Sequence, residues 1–382
     1  MVLRLALTIA LLLPSLARAE ASLSAGNPSA LETVFRWTDQ RCDDLWIPDS
    51  PARAYRRRDG GLVLVAAHYT NGILEGSDFG SLRPNCAVAA KGKEDPDPAA
   101  FDDRLWIQAL LPGADGKVLG VVSHEYMGAR HPGRCESKAR RDGNNCWYSS
   151  LLLAEADERD FAFRLLPGRG RVLAAPSVLF DNKADRRVGF FTASNVVRSG
   201  DWNHLISWTE LPGGTFGNCL FRAPAGDPSA GWAALRDGAF DAGFPDSYAA
   251  GEERRSCDIV GRGSLLNIVR SVVRLERAGL WAGVFIMPGG HGMPEGVYYA
   301  TSPDLVRWDR PRLLFDTSSE PDAKGCRVVY QYPSLIDHNS ASGFFDTAPG
   351  DGLHLYLTRF NREACQRWLN RDLVRVRVEA RP

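Results

Sequence analysis

Gly296-Val297-Tyr298-Tyr299-Ala300-Thr301-Ser302-Pro303-Asp304-Leu305-Val306-Arg307-Trp308 is the stretch on which the fold turns. Its first half is aromatic and β-branched, the composition of a strand that fits a pleated, buried surface. Ser-Pro-Asp then forces a corner, because proline presets φ and aspartate bonds its own backbone two residues on. Trp308 closes the motif as an apolar anchor. Strand, Asp-bearing turn and aromatic recur in Leu152–Asp157 leading to Phe161 and Phe163, and in Leu220–Arg222 leading to Asp227 and Trp232. A weaker copy runs from Ala87-Val88-Ala89 through Asp95-Pro96-Asp97 to Phe101, and Leu373–Val378 reads as a truncated last one. With Val88, Ala154, Arg222, Ala300 and Arg375 as markers, the copies follow at near-even intervals.

Between the markers lies a second unit, an apolar strand, a Gly/Asp turn and another strand. Its instances are Pro51–Tyr55 with Leu62–Tyr69, Trp106–Leu110 with Val118–Val122, Phe190–Val197 with Leu205–Trp208, Leu266–Leu275 with Leu280–Ile286, and Tyr332–Ile336 with Leu353–Phe360. Dense strands with almost no helical periodicity predict an all-β fold. Repeats of this length holding three to four strands match propeller blades and exceed a solenoid repeat. The expectation is one five-bladed β-propeller over residues 20–382. A β-sandwich or a pair of β domains is the plainer alternative, opposed by the even spacing and the lack of a long linker. Leu31, Val34 and Phe35 stand at helical spacing, so a short helix is expected over Ser29–Trp37, with Ser29 as N-cap.

The N-terminus carries Arg4, an apolar run from Leu5 to Leu13, and Ala17-Arg18-Ala19. A charged start, short apolar centre and small-residue exit predict a cleavable signal peptide over residues 1–19. The run is too short for a membrane span, which needs about 20 residues. The protein is therefore expected in the periplasm or the medium, as a monomer. Formal net charge is zero, and loss of Arg4 and Arg18 leaves the remainder faintly acidic. That excludes the basic stripe a nucleic acid requires and gives no attraction to an anionic membrane. The cysteines are even in number, 8, as in an oxidising compartment. Local pairs are expected between Cys42 and Cys86, Cys135 and Cys146, and Cys326 and Cys365.

Inner strands of a propeller point polar residues at the channel, so strand ends are where chemistry is sought. Asp49, between Pro48 and Pro51, opens the first such strand, and Asp102-Asp103-Arg104 opens the second. His124-Glu125-Tyr126 ends the strand after that, Asn195 lies in the third unit, and Asp337 ends the inner strand of the fifth. Two carboxyls at one mouth fit glycoside hydrolysis, which needs one protonated group and one ionised. Aromatics such as Trp46, Trp106, Tyr126 and Trp147 offer flat faces to a sugar. Each residue has an ordinary role open to it: an Asp at a strand end commonly caps a turn, and Glu125 has Arg130 and Arg134 nearby to pair with. No His-Glu-x-x-His helix, Gly-x-Ser-x-Gly elbow, P-loop or dinucleotide fingerprint occurs, and no spacing is a zinc ribbon's. No metal or cofactor is expected.

The 296–308 segment resembles the outer-strand motif of five-bladed propeller glycoside hydrolases, the arabinanase/β-xylosidase families and their invertase/levansucrase relatives. Asp49 with Pro51 and Arg53 is similar to their first-blade segment, and Tyr332–Asp337 to a late inner strand. The resemblance implies a base or nucleophile at Asp49 and a supporting acid at Asp103 or Asp102. The third residue of the pattern, a glutamate on blade three, is absent, since Ser194-Asn195 stands there. Glu125 is taken to replace it from the neighbouring blade. The reading is a secreted hydrolase of a furanose- or pentose-containing glycan, with Asp49, Asp103 and Glu125 catalytic and Arg53, Trp106, His124, Tyr126, Asn195 and Asp337 binding substrate. Two alternatives are a non-catalytic glycan- or protein-binding propeller, and a lyase or phosphorylase using His124 and Arg53.

Overall fold

The computed structural model describes residues 21–137, 144–212, 214, 216–250, 256–290, 292–318, 326–361 and 369–381. The leader at 1–19 and the pairing of Cys326 with Cys365 lie outside them. The fold is all-β. Strands β1 (Ser22–Ala25) and β2 (Glu32–Phe35) precede a one-turn helix, α1 (Trp37–Gln40). A first antiparallel meander then runs through β3 (Pro48–Arg56), β4 (Leu62–Ala67), β5 (Ile73–Gly76) and β6 (Arg83–Asn85). The next holds β7 (Arg104–Pro112), β8 (Lys117–Met127) and β9 (Trp147–Asp157), with short β10 (Arg164–Leu165) and β11 (Val172–Ala174) on the edge of β9. A third runs β12 (Val188–Ala193), β14 (Trp202–Glu210), β15 (Phe216–Pro224), β16 (Ala233–Arg236) and β17 (Ala239–Ala242), with β13 (Val197–Ser199) on β14. Then come β18 (Ser271–Leu275), β19 (Leu280–Gly290), β20 (Met293–Ser302) and β21 (Arg312–Asp316). The last sheet holds β22 (Val329–Asp337), β24 (Leu353–Phe360) and β25 (Arg371–Arg381), while β23 (Thr347–Ala348) pairs back to β18.

The chain's start completes its end. Both β1 and β2 pair antiparallel with β25, so Glu32–Phe35 is a strand and the helix expected over Ser29–Trp37 does not form. Three apolar residues in so short a window fit either period, and the backbone groups of β25 decide between them. Phe35 is buried under the first sheet and Leu31 packs near the last.

The sheets pack face to face in sequence. One apolar cluster joins the first three meanders through Val63, Ile107, Leu152 and Phe190. Another joins the third to the fourth through Ile206 and Trp281, and a third joins the fourth to the last through Val284 and Leu355. Leu64, Ile336 and Tyr356 pack the last sheet back on the first. Burial on both faces explains strands that read as near-continuous apolar runs, β8 above all. Each fully buried aliphatic side chain there contributes about 1.5–3 kcal/mol. The second and third meanders also touch edge to edge, where Val188 and Gly189 pair in parallel with Tyr148 and Ser149. Only glycine fits, since a Cβ at Gly189 would lie 2.0 Å from the Ser149 carbonyl oxygen and φ is +129°.

The motif at 296–308 forms the third strand of a meander and its corner. Asp304 Oδ1 accepts from Val306 N at 3.0 Å, Asp157 Oδ1 from Arg159 N at 3.0 Å, and Asp227 Oδ1 from Ser229 N at 3.0 Å. Trp308, Phe161 and Trp232 follow as buried anchors. The copy expected at Ala87–Phe101 is not of this kind, for Val88 is 53% exposed and lies in no strand. The corresponding unit is β5 with Asp78, which accepts from Gly80 N at 2.8 Å, and buried Phe79. Cys42–Cys86 and Cys135–Cys146 are bridged as expected, and Cys219–Cys257 is a further disulfide.

Candidate active site

The first strands of the meanders, β3, β7, β12 and β22, and the residue before β18 meet at one side chain. Arg53 Nη2 donates to Ala193 O at 3.2 Å and Arg270 O at 2.8 Å, and Nη1 to Ser334 Oγ at 3.2 Å. Its Nε donates to Gln108 O. Burial, aided by the charge of Arg270, lowers its pKa to about 9, so it stays charged at neutral pH. Arg53, expected to bind substrate, thus has its donors committed to the protein's own oxygens.

Those carbonyls are available because the inner strands break register there. The ladders shift between Pro48 and Arg53, Ile107 and Ala109, Phe191 and Ala193, and Gln331 and Ser334. Bulges re-aim side chains, and residues inside these breaks, Asp49, Gln108, Thr192 and Tyr332, line one cavity of about 340 Å³. Two of them pay in backbone strain: Thr192 has φ 40° and Tyr332 φ 56°, rare for β-branched and bulky residues and characteristic of functional sites.

Asp49 and Glu125 both face this cavity. Asp49 Oδ1 accepts from the Tyr332 hydroxyl at 2.9 Å and pairs with Arg371. His68 Nε2 stands 3.6 Å from Oδ2. Glu125 comes from β8, opposite Arg104 on one side and Ser149 on the other. No hydrogen bond or ion pair holds its carboxyl among the described residues. Loss of hydration, then the charge of Asp49, push its pKa up to about 8, against the pull of Arg187, Arg104 and Arg270. It is therefore a protonated acid at neutral pH beside an ion-paired carboxylate. Trp106 and Trp147 contribute aromatic faces. Four buried polar atoms on lining residues have no partner among the described residues: Ser50 Oγ, His68 Nδ1, Arg104 Nε and Gln108 Oε1. Such atoms are costly unless a polar ligand satisfies them.

The other expected site residues lie elsewhere. Asp103 is buried and accepts from Met127 N at 3.1 Å and faces His131 Nε2 at 3.0 Å; it fixes the end of β8 without lining the cavity. His124 and Tyr126 flank Glu125 on β8 and so point to the opposite face. His124 packs near Phe101, and the Tyr126 hydroxyl donates to Pro96 O at 2.8 Å. Asn195 clips the third meander to the fourth, accepting from Val272 N and donating to Val272 O, both at 2.8 Å. Asp337 lies at the far end of β22 from Tyr332, where it accepts from Asn339 N and Gly350 N. Trp46 packs on Phe35 at 4.6 Å.

No protein-family model and no curated protein matches the sequence. The chain is similar to solved structures over most of its length. One is the catalytic domain of an α-L-arabinofuranosidase of Coprinopsis cinerea, with 11% identity, 90% of this chain and 94% of that chain covered, and a TM-score of 0.49. Another is an α-L-arabinofuranosidase of Lactobacillus brevis, with 11% identity, coverage of 88% and 91%, and a TM-score of 0.47. A third is a β-xylosidase/α-arabinofuranosidase from a compost microbial metagenome, with 10% identity, coverage of 94% and 95%, and a TM-score of 0.47.

Among the described residues no helix is long and apolar enough to cross a membrane, and no group of His, Cys, Asp and Glu is arranged to hold a metal ion.

Proposed function

We propose that this chain is an exported glycoside hydrolase built as one five-bladed β-propeller over residues 20–382, with Arg53 on its axis. The observation that carries the reading is the pair Asp49 and Glu125 on one cavity, one ion-paired and the other held protonated. Glu125 donates its proton to the leaving glycosidic oxygen as that bond breaks, and Asp49 either activates water or attacks the anomeric carbon. Asp103 acts as a positioning residue, tying down the strand end that carries Glu125. Trp106 and Trp147 give sugar rings flat faces. The disulfides agree with folding in an oxidising compartment.

A binding module that lacks acid–base chemistry is disfavoured by what stands at Glu125. An arginine locked between the two carboxyls as an ion pair would have silenced them. Arg53 is instead committed to backbone and hydroxyl oxygens, and Arg371, which pairs with Asp49, is not among the residues lining the cavity. The test is a hydrolysis screen over arabino-, xylo- and galacto-oligosaccharides with the unmodified protein, Asp49→Asn and Glu125→Gln. Hydrolysis by the first, lost in both variants, is expected. A glycan that binds yet survives incubation with the unmodified protein, across the whole panel, would replace the hydrolase with a binding module.

A further inference from the structure

Besides its two carboxyls, the cavity presents Arg104, Arg130, Arg187 and Arg270. A neutral glycan has no use for so many guanidinium groups. One has a partner that lowers its availability: Arg187 pairs with Glu210, its Nε 2.9 Å from Oε1, and lies over Phe191 at 4.4 Å. Arg130 is exposed at the rim. Arg104 and Arg270 differ. Arg104 is only 9% exposed, lies 4.5 Å over the ring of Tyr69, and keeps a buried Nε without a hydrogen-bond partner among the described residues. Arg270 donates to Thr192 Oγ1 at 2.9 Å and sits over Tyr332 at 5.3 Å. Neither has a carboxylate within ion-pair distance among the described residues.

The cavity's own acids do not account for these cations. Asp49 already has Arg371 as its counter-ion. Glu125 is neutral below about pH 8, because desolvation and the charge of Asp49 together outweigh the arginines. His68 adds no charge, since burial lowers it to about 4. An excess of positive charge thus faces a cavity whose remaining orphan atoms, Gln108 Oε1, Ser50 Oγ and His68 Nδ1, fit sugar hydroxyls. Arginine is also the residue that meets a planar oxyanion with parallel donors.

We propose that the substrate is an anionic glycan, whose sugar carboxylate or sulfate ester is held by Arg104 and Arg270 beside the scissile bond. This rests on the hydrolase reading for the bond that is cut, and on the arginines alone for the anion.

The experiment is calorimetric titration of the full chain with four oligosaccharides: a xylotetraose bearing one glucuronate, its carboxyl-reduced counterpart, a galactotetraose bearing one sulfate, and its desulfated counterpart. One acidic ligand is expected to bind at least about tenfold more tightly than its neutral counterpart, as a charge-assisted bond in a partly buried site supplies. The preference should shrink with added salt and with Arg104→Gln. Equal affinities within both pairs, or no binding of either acidic ligand, overturn the proposal without any variant that must fold. Inorganic phosphate is the remaining arm. Phosphate-dependent turnover releasing a sugar phosphate would make the oxyanion a co-substrate and overturn it too. Hydrolysis is scored separately. An acidic preference without cleavage removes the hydrolase and keeps the anion site; cleavage with equal affinities does the reverse.

Discussion

The hydroxyl of Tyr332, on the last sheet, donates to Asp49 Oδ1 on the first at 2.9 Å. Burial and the Asp49 charge raise the Tyr332 pKa, so it remains a donor throughout the working pH range. With Arg371 on the same oxygen, this bond leaves Oδ2 clear of both, 3.6 Å from Nε2 of His68, another residue of the cavity wall. Tyr332→Phe is expected to lower kcat about tenfold with little change in KM, the scale of one charge-assisted hydrogen bond. Asp49→Asn, which removes the charge itself, should cost about 10²–10⁴-fold. Steady-state kinetics with far-UV circular dichroism as a folding control decides; equal losses in kcat and affinity for Tyr332→Phe would assign the hydroxyl to substrate binding.

Glu125 sets the alkaline limb of activity. Its carboxyl, raised to about 8 by burial and by Asp49, is protonated below that value and loses its proton above it. An acid catalyst with this pKa keeps its rate through neutral pH and loses it about tenfold per unit beyond pH 8. In Glu125→Gln the residual rate should be lower and the limb at pH 8 gone. A pH–kcat/KM profile whose limb survives that substitution transfers the acid role to another group.

The sequence made the all-β fold and the cavity's two carboxyls legible for different reasons. Asp304, Asp157 and Asp227 advertise strand corners because an Asx turn needs that residue type at that place. Asp78 is not legible because β5 has only 4 residues, too few to show alternation, while Asp97 caps a helical turn nearby and imitates the motif. Asp49 was visible through its flanking prolines. His124 and Tyr126 adjoin Glu125 in sequence, but alternate residues of a strand face opposite ways, so adjacency does not place them at the site. Arg104 is legible only as the neighbour of Asp102-Asp103, and Arg187 and Arg270 belong to no motif. Arg104, Arg187 and Arg270 each stand at the start of an inner strand and follow one another at equal intervals, a periodicity that a search for carboxylates overlooks. Arg53 is legible as an inner-strand residue but its role is not, because that role depends on carbonyls freed by bulges on other strands.

Arg53 is accordingly a keystone whose loss leaves several buried oxygens without donors. Each such group costs about 1–3 kcal/mol, so Arg53→Met, which keeps much of the volume, is expected to destabilise by at least about 3 kcal/mol. Arg53→Lys should recover part of that loss, since an ammonium has fewer donors and cannot span the same oxygens. Urea denaturation measures both. A methionine variant within about 1 kcal/mol of the unmodified protein would show that water replaces the guanidinium.

His124 makes stability depend on acid. Both ring nitrogens are buried without a partner among the described residues, and burial, then the charge of Arg171, lowers its pKa to about 3. The unfolded chain takes up a proton near pH 6.5. Between those values the unfolded state binds the proton that the folded state refuses, so stability is intact above pH 6.5 and falls as the pH drops toward 3. His68 and His204, both lowered to about 4, act in the same direction. At pH 5 each such histidine costs about 2 kcal/mol relative to pH 7. His124→Phe removes one proton-uptake site from the unfolded state. Its urea midpoint should therefore fall less than that of the unmodified protein when the pH is taken from 7 to 5. Parallel shifts in the two proteins would mean that water reaches the His124 ring in the folded state and that its burial carries no penalty.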